Sequence, residues 1–222
     1  MTRDFAIIPV KGLLESKSRL SRSLGSRDKK KLILAMLKDV LTSVEDSELF
    51  SRFLVVSPDQ NVKVEANLPD GSFLHQEGQG LNAGVHQSSL FAAREKASSV
   101  AVLLADIPLV EGRDLKELYS VGDIAPRVVL SPSLKGGTNV MVREPPGIIA
   151  PAYGLWSYST HLRAAQKTGL AVYSVSNPRL SFDIDIPEDL ITLRGRDPHG
   201  RTQTARCLQE MTPPHLSARI SK

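Results

Sequence analysis

Three acidic positions and a group of cations could do chemistry together. Asp106 closes an apolar run, SVAVLLADIPLV over Ser99 to Val110, while Asp183 and Asp185 alternate with Phe182 and Ile184 in FDIDIPEDL. In an extended chain that alternation puts both aspartates on one face and the two apolar side chains on the other. Carboxylates stacked on one face repel one another unless they are solvated or share a cation. Two separated carboxylate sites, Asp106 and Asp183/Asp185, suit Mg²⁺ carried by a nucleoside triphosphate, because this hard ion takes one or two carboxylates and completes its octahedron with phosphate oxygens and water. Lys11, Lys17 and Arg19, in KGLLESKSRLS, supply cations for the phosphates. Phosphoryl and nucleotidyl transfer ask little covalent chemistry of a protein, so positioning and charge stabilisation by such groups suffice.

The elements that must position these residues follow from hydrophobic patterning. Val100 to Leu104 reads as a buried parallel strand, and a carboxylate just past its end points into the crevice where α/β sheets bind ligands; Asp106 would equally serve as a cap of the next turn. Phe5 to Val10 is a first strand, so the basic loop after it overlies the same crevice. From Asp28 to Val44 the apolar residues recur at i, i+3, i+4, predicting an amphipathic helix with Lys29, Lys30, Lys31 and Lys38 outside. Strands follow at Phe53 to Val56 and, after the polar stretch Asp59 to Asp70, near Ser72 to Leu74. The glycine-rich QEGQGLNAG, Gln76 to Gly84, opens a helix running to Lys96; Asn82 at its start either caps the helix or reads a nucleobase edge.

Beyond the Asp106 strand, Glu111 to Tyr119 reads as an exposed helix and Arg127 to Ser131 as a strand. The turn in KGGTNVM, Lys135 to Met141, offers backbone N–H groups and a hydroxyl to an anion, or simply closes a hairpin before a strand at Val140 to Val142. A helix spans Ser157 to Gly169, N-capped by Ser157 or Ser159 and carrying His161 as a packing or surface residue. Ala171 to Val175 and the D-x-D stretch read as strands, and Pro187 opens a further helix. From Gly195 apolar periodicity fades, predicting a domain over 1–194 and a C-terminal extension over 195–222 that is disordered or packed on a partner subunit, with one helix near Thr202 to Met211.

Composition narrows the class. With 222 residues and 41% apolar content the chain can bury the core of a single α/β domain. A net charge of +4 with only 5% aromatic residues offers no stacking platform for nucleic acid and suits a small anionic partner. The single cysteine, Cys207, rules out an intrachain disulfide framework and a Cys-based zinc site and favours a cytoplasmic setting; no run approaches membrane-spanning length. Walker A and G-x-G-x-x-G signatures are both missing, against P-loop and dinucleotide-dehydrogenase readings.

Five motifs in order, IIPVKGLLESKSRLS (Ile7 to Ser21), QGLNAG (Gln79 to Gly84), LLADIPLV (Leu103 to Val110), GGTNVM (Gly136 to Met141) and FDIDIPEDL (Phe182 to Leu190), together resemble the 2-phospho-L-lactate guanylyltransferases of coenzyme F420 biosynthesis, the CofC/FbiD family, over about residues 5 to 194. The resemblance implies a three-layer, Rossmann-like mixed sheet of the nucleotide-diphospho-sugar-transferase (glycosyltransferase-A) type in a single domain. It implies transfer of GMP from GTP to 2-phospho-L-lactate or phosphoenolpyruvate, with pyrophosphate released, and a homodimer dependent on Mg²⁺. Carried over by motif, Asp106 and Asp183 match the family's metal pair with Asp185 beside them. Thr138, Gly154 and Ser157 match positions that hold the phosphorylated acid. Lys11, Lys17 and Arg19 would bind the triphosphate, and Gly80, Leu81 and Asn82 would lie by the guanine or ribose. Still open at this point are the choice of acid, the choice between Asp183 and Asp185, the oligomeric state, a related nucleotidyltransferase using molybdopterin or a sugar phosphate, and a non-catalytic nucleotide-binding subunit.

Overall fold

The apolar runs pair into one sheet, whose strands are β1 (Asp4–Pro9), β2 (Arg52–Ser57), β3 (Phe73–His75), β4 (Ser99–Leu103), β5 (Arg127–Pro132), β6 (Thr138–Glu144) and β7 (Ala171–Ser174). The structure is a computed structural model that describes residues 3–13, 17–122 and 124–211. Within those residues the strand order is β3-β2-β1-β4-β6-β5-β7, parallel throughout except for β6. The chain winds outward from β1 to β3 and returns to β4 on the other side of β1. A crevice therefore opens past the carboxyl ends of β1 and β4, the switch point at which doubly wound sheets bind ligands.

Among the described residues seven α-helices cover the sheet: α1 (Ser26–Ser47), α2 (Asn61–Glu65), α3 (Gly80–Arg94), α4 (Gly112–Ser120), α5 (Ser157–Lys167), α6 (Pro187–Arg196) and α7 (Gln203–Glu210). Both faces are buried, which explains why the strand sequences are continuous apolar runs rather than alternating ones. In β1, Ala6 and Ile8 join the cluster under α1, α4, α6 and α7, while Phe5 and Ile7 join the cluster under α3 and α5. The apolar stripe of α1, including Leu32, Met36, Leu37, Val40 and Val44, is fully buried in the first cluster, each such side chain stabilising by about 1.5–3 kcal/mol.

Four local readings change. Asp59 to Asp70 contains the short helix α2 rather than loop alone. Lys29, expected on the solvent face, is buried and donates to Ser21 Oγ at 3.1 Å, tying α1 to a short 3-10 turn over Ser18–Arg22. Neither Ser157 nor Ser159 caps α5; Trp156, in the left-handed region at φ 57°, occupies that position. Phe182 to Asp185 is extended but forms no strand of the sheet, since its backbone is anchored by isolated bonds such as Ile184 N–H to the Asp106 carbonyl at 2.9 Å.

The segment after residue 194 is, as far as Met211, packed on the same chain. α6 runs through to Arg196, and α7 lies on α1 with Leu208 in the core. Its first amides need acceptors: Asp39 of α1 accepts from Gln203 N–H (2.6 Å), Thr204 N–H (2.9 Å) and the Thr204 hydroxyl (2.5 Å), and Thr202 Oγ1 accepts from Ala205 N–H (3.1 Å). Residues 212–222 lie outside the described residues.

Candidate active site

The crevice at the switch point is a cavity of about 530 Å³ lined by Pro9, Val10 and Lys11 after β1 and by Leu104, Ala105 and Asp106 after β4. Lys17, Arg19, Leu81, Gly154 and Asp185 complete its polar and loop walls, and Ile33 and Met36 of α1 contribute its apolar side. Seven residues picked out by motif thus meet in one cavity although they are spread from position 11 to 185. Residues 14–16 of the first motif lie outside the described residues.

Lys17 is the hub. Its backbone sits in the left-handed region (φ 54°, ψ 48°), which is uncommon for a residue with a Cβ and a form of strain that clusters at functional sites. Its ammonium bonds to Asp106 Oδ2 and, at 2.7 Å, to Asp185 Oδ1. Burial works against the ammonium charge, but the two carboxylates outweigh it and hold Lys17 above the ordinary lysine range. Asp106 Oδ1 is buried with no hydrogen-bond partner among the described residues, a group with unspent capacity turned inward.

A second lysine organises the other end of the acidic stretch. Lys135 Nζ reaches Asp189 Oδ2 at 2.8 Å, Asp183 Oδ2 at 3.2 Å and Asp185 Oδ2 at 3.4 Å. Asp183 also accepts from the Ser133 hydroxyl at 2.7 Å and is buried. Burial, reinforced by the neighbouring Asp185 and Asp106, lifts its carboxyl to about 6. Burial alone would lift Asp185 too, but the Lys17 ammonium outweighs it and holds that carboxyl below the usual carboxylate range. The two aspartates of D-x-D are therefore inequivalent: Asp185 shares a cation with Asp106 and lines the cavity, and Asp183 sits behind it on the β5–β6 turn. Asp114 of α4, with Asn177 at 3.0 Å and Arg179 Nε at 2.8 Å, fixes the chain that leads into this stretch.

Of the remaining motif residues, Leu81 and Gly154 line the cavity, while Thr138 and Ser157 are buried and absent from its lining. Thr138 N–H donates to Ser157 Oγ at 3.0 Å, and the hydroxyls of these two buried residues lie 3.4 Å apart. Gly154, at φ 149°, adopts a conformation that residues with a Cβ rarely enter, although a Cβ there would meet open space. Asn82 neither caps α3 nor faces the cavity; its amide donates to the Tyr153 carbonyl (3.0 Å) and accepts from the Tyr153 N–H (2.7 Å), so it holds the loop that carries Gly154. Gly80 begins α3 just before the cavity residue Leu81. Lys135, Ser133 and His161 belong to this environment without having been singled out from sequence; only the position of Lys135 in KGGTNVM signalled it.

The chain resembles known proteins over most of its length. Residues 4–218 match the family described as "Guanylyl transferase CofC like". The chain belongs to this guanylyl transferase family. It is 40% identical over 190 residues to the phosphoenolpyruvate guanylyltransferase of Rubrobacter xylanophilus, covering 85% of this chain and 92% of that protein. It is 32% identical over 218 residues to the 2-phospho-L-lactate guanylyltransferase of Methanothermobacter thermautotrophicus, covering 97% and 96%. Among solved structures, a protein of Desulfovibrio desulfuricans G20 described as a nucleotide-diphospho-sugar transferase superposes with a TM-score of 0.76 at 19% identity over 95% of each chain. A nucleotidyl transferase from Methanothermobacter gives 0.63 at 14% identity over 88% and 98%. The fold expected from the motifs is thereby borne out, and the enzyme is a nucleotidyltransferase of the guanylyl-transferring kind.

Proposed function

We propose that this enzyme joins GMP from GTP to a phosphorylated three-carbon acid, phosphoenolpyruvate or 2-phospho-L-lactate, on the route to coenzyme F420. The observation that carries the reading is the cluster in which Lys17 bridges Asp106 and Asp185 at the mouth of β1 and β4. Phosphoenolpyruvate is the first acceptor to test, because that name is borne by relatives at 40% and 34% identity. A relative from Colwellia psychrerythraea, 30% identical, is named 3-phospho-D-glycerate guanylyltransferase, so the same scaffold accompanies more than one three-carbon acid.

The acceptor's phosphate oxygen is already anionic and needs no general base. It attacks the α-phosphorus of GTP, the bond to the bridging oxygen of the β-phosphate breaks, and pyrophosphate leaves with that electron pair. Lys11 and Arg19, exposed at the cavity rim, draw in and neutralise the triphosphate. Lys17 holds Asp106 and Asp185 at fixed positions and presents positive charge where charge builds up in transfer. Thr138, Ser157 and the Gly154 backbone form the wall for the acid.

The donor set suits a hard divalent ion: all-oxygen ligands, with Asp106 Oδ1 uncommitted. Among the described residues no three His, Cys, Asp or Glu side chains are grouped to hold a metal ion by themselves; Mg²⁺ commonly takes one or two carboxylates and completes its shell with phosphate oxygens and water. Asp106 and Asp185 would hold Mg²⁺, with Asp183 behind them, and the ion would supply charge neutralisation at the phosphates. The test is pyrophosphate release from GTP, ATP, CTP and UTP paired with phosphoenolpyruvate, 2-phospho-L-lactate and 3-phospho-D-glycerate. GTP with one of the first two acids should be the best pair, chelation of divalent ions should abolish release, and Mg²⁺ should restore it. A stronger response to another nucleotide or to none of the acids would overturn the reading.

A further inference from the structure

His161 is fully buried beneath the loop that carries Gly154, in the middle of α5, and it makes two hydrogen bonds in opposite directions. The Ala152 backbone N–H donates to its Nε2 at 2.8 Å. A backbone N–H can only donate, so Nε2 is the unprotonated nitrogen, and a neutral ring must then carry its proton on Nδ1. Nδ1 lies 2.9 Å from Thr138 Oγ1, which makes the ring the donor and the threonine oxygen the acceptor in that contact. The Ser157 hydroxyl also donates to Thr138 Oγ1, at 3.4 Å. With the histidine proton already filling the shared contact, no hydrogen bond among the described residues uses the threonine's own hydrogen.

The same ring fixes the loop mechanically. Three side chains grip consecutive parts of its backbone: Arg143 Nη1 donates to the Ile149 carbonyl at 3.0 Å, His161 takes the Ala152 N–H, and Asn82 takes both polar groups of Tyr153. The Tyr153 ring meets the His161 ring edge-on, with centroids 4.9 Å apart. Gly154, which lines the cavity, follows directly. The charged and titratable groups facing His161 are the Arg143 guanidinium and the Tyr153 hydroxyl; burial, aided by that guanidinium, pushes the imidazole down to about 4 and keeps it neutral at working pH.

We propose that His161 is a positioning residue for the acceptor acid: through its Nδ1–H tautomer it leaves the buried Thr138 hydroxyl free to act as a donor, and through Nε2 it locks the Ala152–Gly154 loop that leads to the cavity. The proposal rests on the guanylyltransferase reading and deepens its acid-binding wall. Ligand chemistry follows from the polarity: a hydroxyl kept as a donor selects an acceptor oxygen, such as that of a carboxylate or phosphate.

The test compares wild type with His161→Phe, which fills the space without hydrogen bonds, and with His161→Asn, whose amide N–H can stand where Nδ1–H stands. Loss of a charge-assisted donor predicts that His161→Phe raises KM for the acid by about tenfold or more while KM for GTP and kcat stay within about twofold, and that His161→Asn recovers part of the loss. Thr138→Val should produce a similar rise that is not additive with His161→Phe. In parallel, ¹⁵N NMR of the wild-type imidazole should show Nδ1 protonated and Nε2 unprotonated from pH 5 to 8. An Nε2-protonated ring, an unchanged acid KM, or equal losses for both substrates would overturn the proposal. If wild type transfers guanylyl to none of the acids, the functional reading fails, while the tautomer measurement still decides the assignment of His161.

Discussion

Single residues in this site are defined less by their type than by what they are tied to. Lys17 is held by two carboxylates, so Lys17→Ala removes the cation that Asp106 and Asp185 share and leaves Asp185 only its longer contact to Lys135. We expect kcat to fall by about 10²- to 10³-fold, the range seen when one preorganised charge-stabilising group is removed, as measured by steady-state pyrophosphate release. His161 makes a prediction for stability. Its folded value is depressed to about 4, so between that value and the ordinary histidine value the unfolded chain binds a proton that the folded chain does not. The contribution is present above the ordinary value of 6.5 and is lost as pH falls toward 4, with a slope of at most about 1.4 kcal/mol per pH unit from this group. Urea unfolding of wild type and His161→Gln at several pH values should show a flatter acid limb in the variant; identical slopes would contradict the assignment. Residues such as Asp106 and Lys17 were legible in the sequence because each follows an apolar run that must be a buried strand. His161 was not, since a histidine on a helix looks like any packing residue until its two partners, Thr138 and Ala152, are placed.

At the scale of elements, the turn between β5 and β6 joins the two halves of the site. Ser133 and Lys135 hold Asp183, while Thr138, at the start of β6, holds Ser157 at the start of α5. The alternation in FDIDIPEDL located both aspartates and the buried Phe182 and Ile184, yet it also suggested a strand that does not exist, because any extended segment shows that alternation and only neighbouring chains decide whether a ladder forms. α7 shows the opposite limit. Its short amphipathic sequence gives no hint that Asp39, 164 positions earlier, supplies the acceptors for its first turn. Asp39→Ala leaves those amides without their acceptors and should cost about 1–2 kcal/mol, a fall of a few degrees in Tm for a domain of this size. Calorimetry with hydrogen exchange along 203–210 checks it: exchange should accelerate there first, and an unchanged Tm would show that the cap contributes nothing.

For the whole molecule, one topological fact places the chemistry: the reversal between β1 and β4 brings the basic loop and Asp106 to the same edge of the sheet. That much could be read from the order of apolar runs and charged loops, whereas Thr138, Gly154 and Ser157, proposed to hold the acid, were singled out only through family resemblance, since glycine, threonine and serine carry no distinguishing pattern. Lys11 and Arg19 are exposed at this edge, so the attraction for GTP proposed for them should be screened by salt. KM for GTP should rise with ionic strength, and Lys11→Ala or Arg19→Ala should raise it roughly three- to tenfold at low salt with little change in kcat, in keeping with about 1 kcal/mol for an exposed charge contact. The central claim is that transfer takes place in this crevice with Asp106 as an essential ligand-holding carboxylate. Its most direct test is Asp106→Asn, a near-isosteric change, assayed for guanylyl transfer from GTP to phosphoenolpyruvate or 2-phospho-L-lactate alongside its thermal unfolding. The variant should unfold at nearly the wild-type temperature and have lost turnover; near-normal transfer by it would show that Asp106 is dispensable.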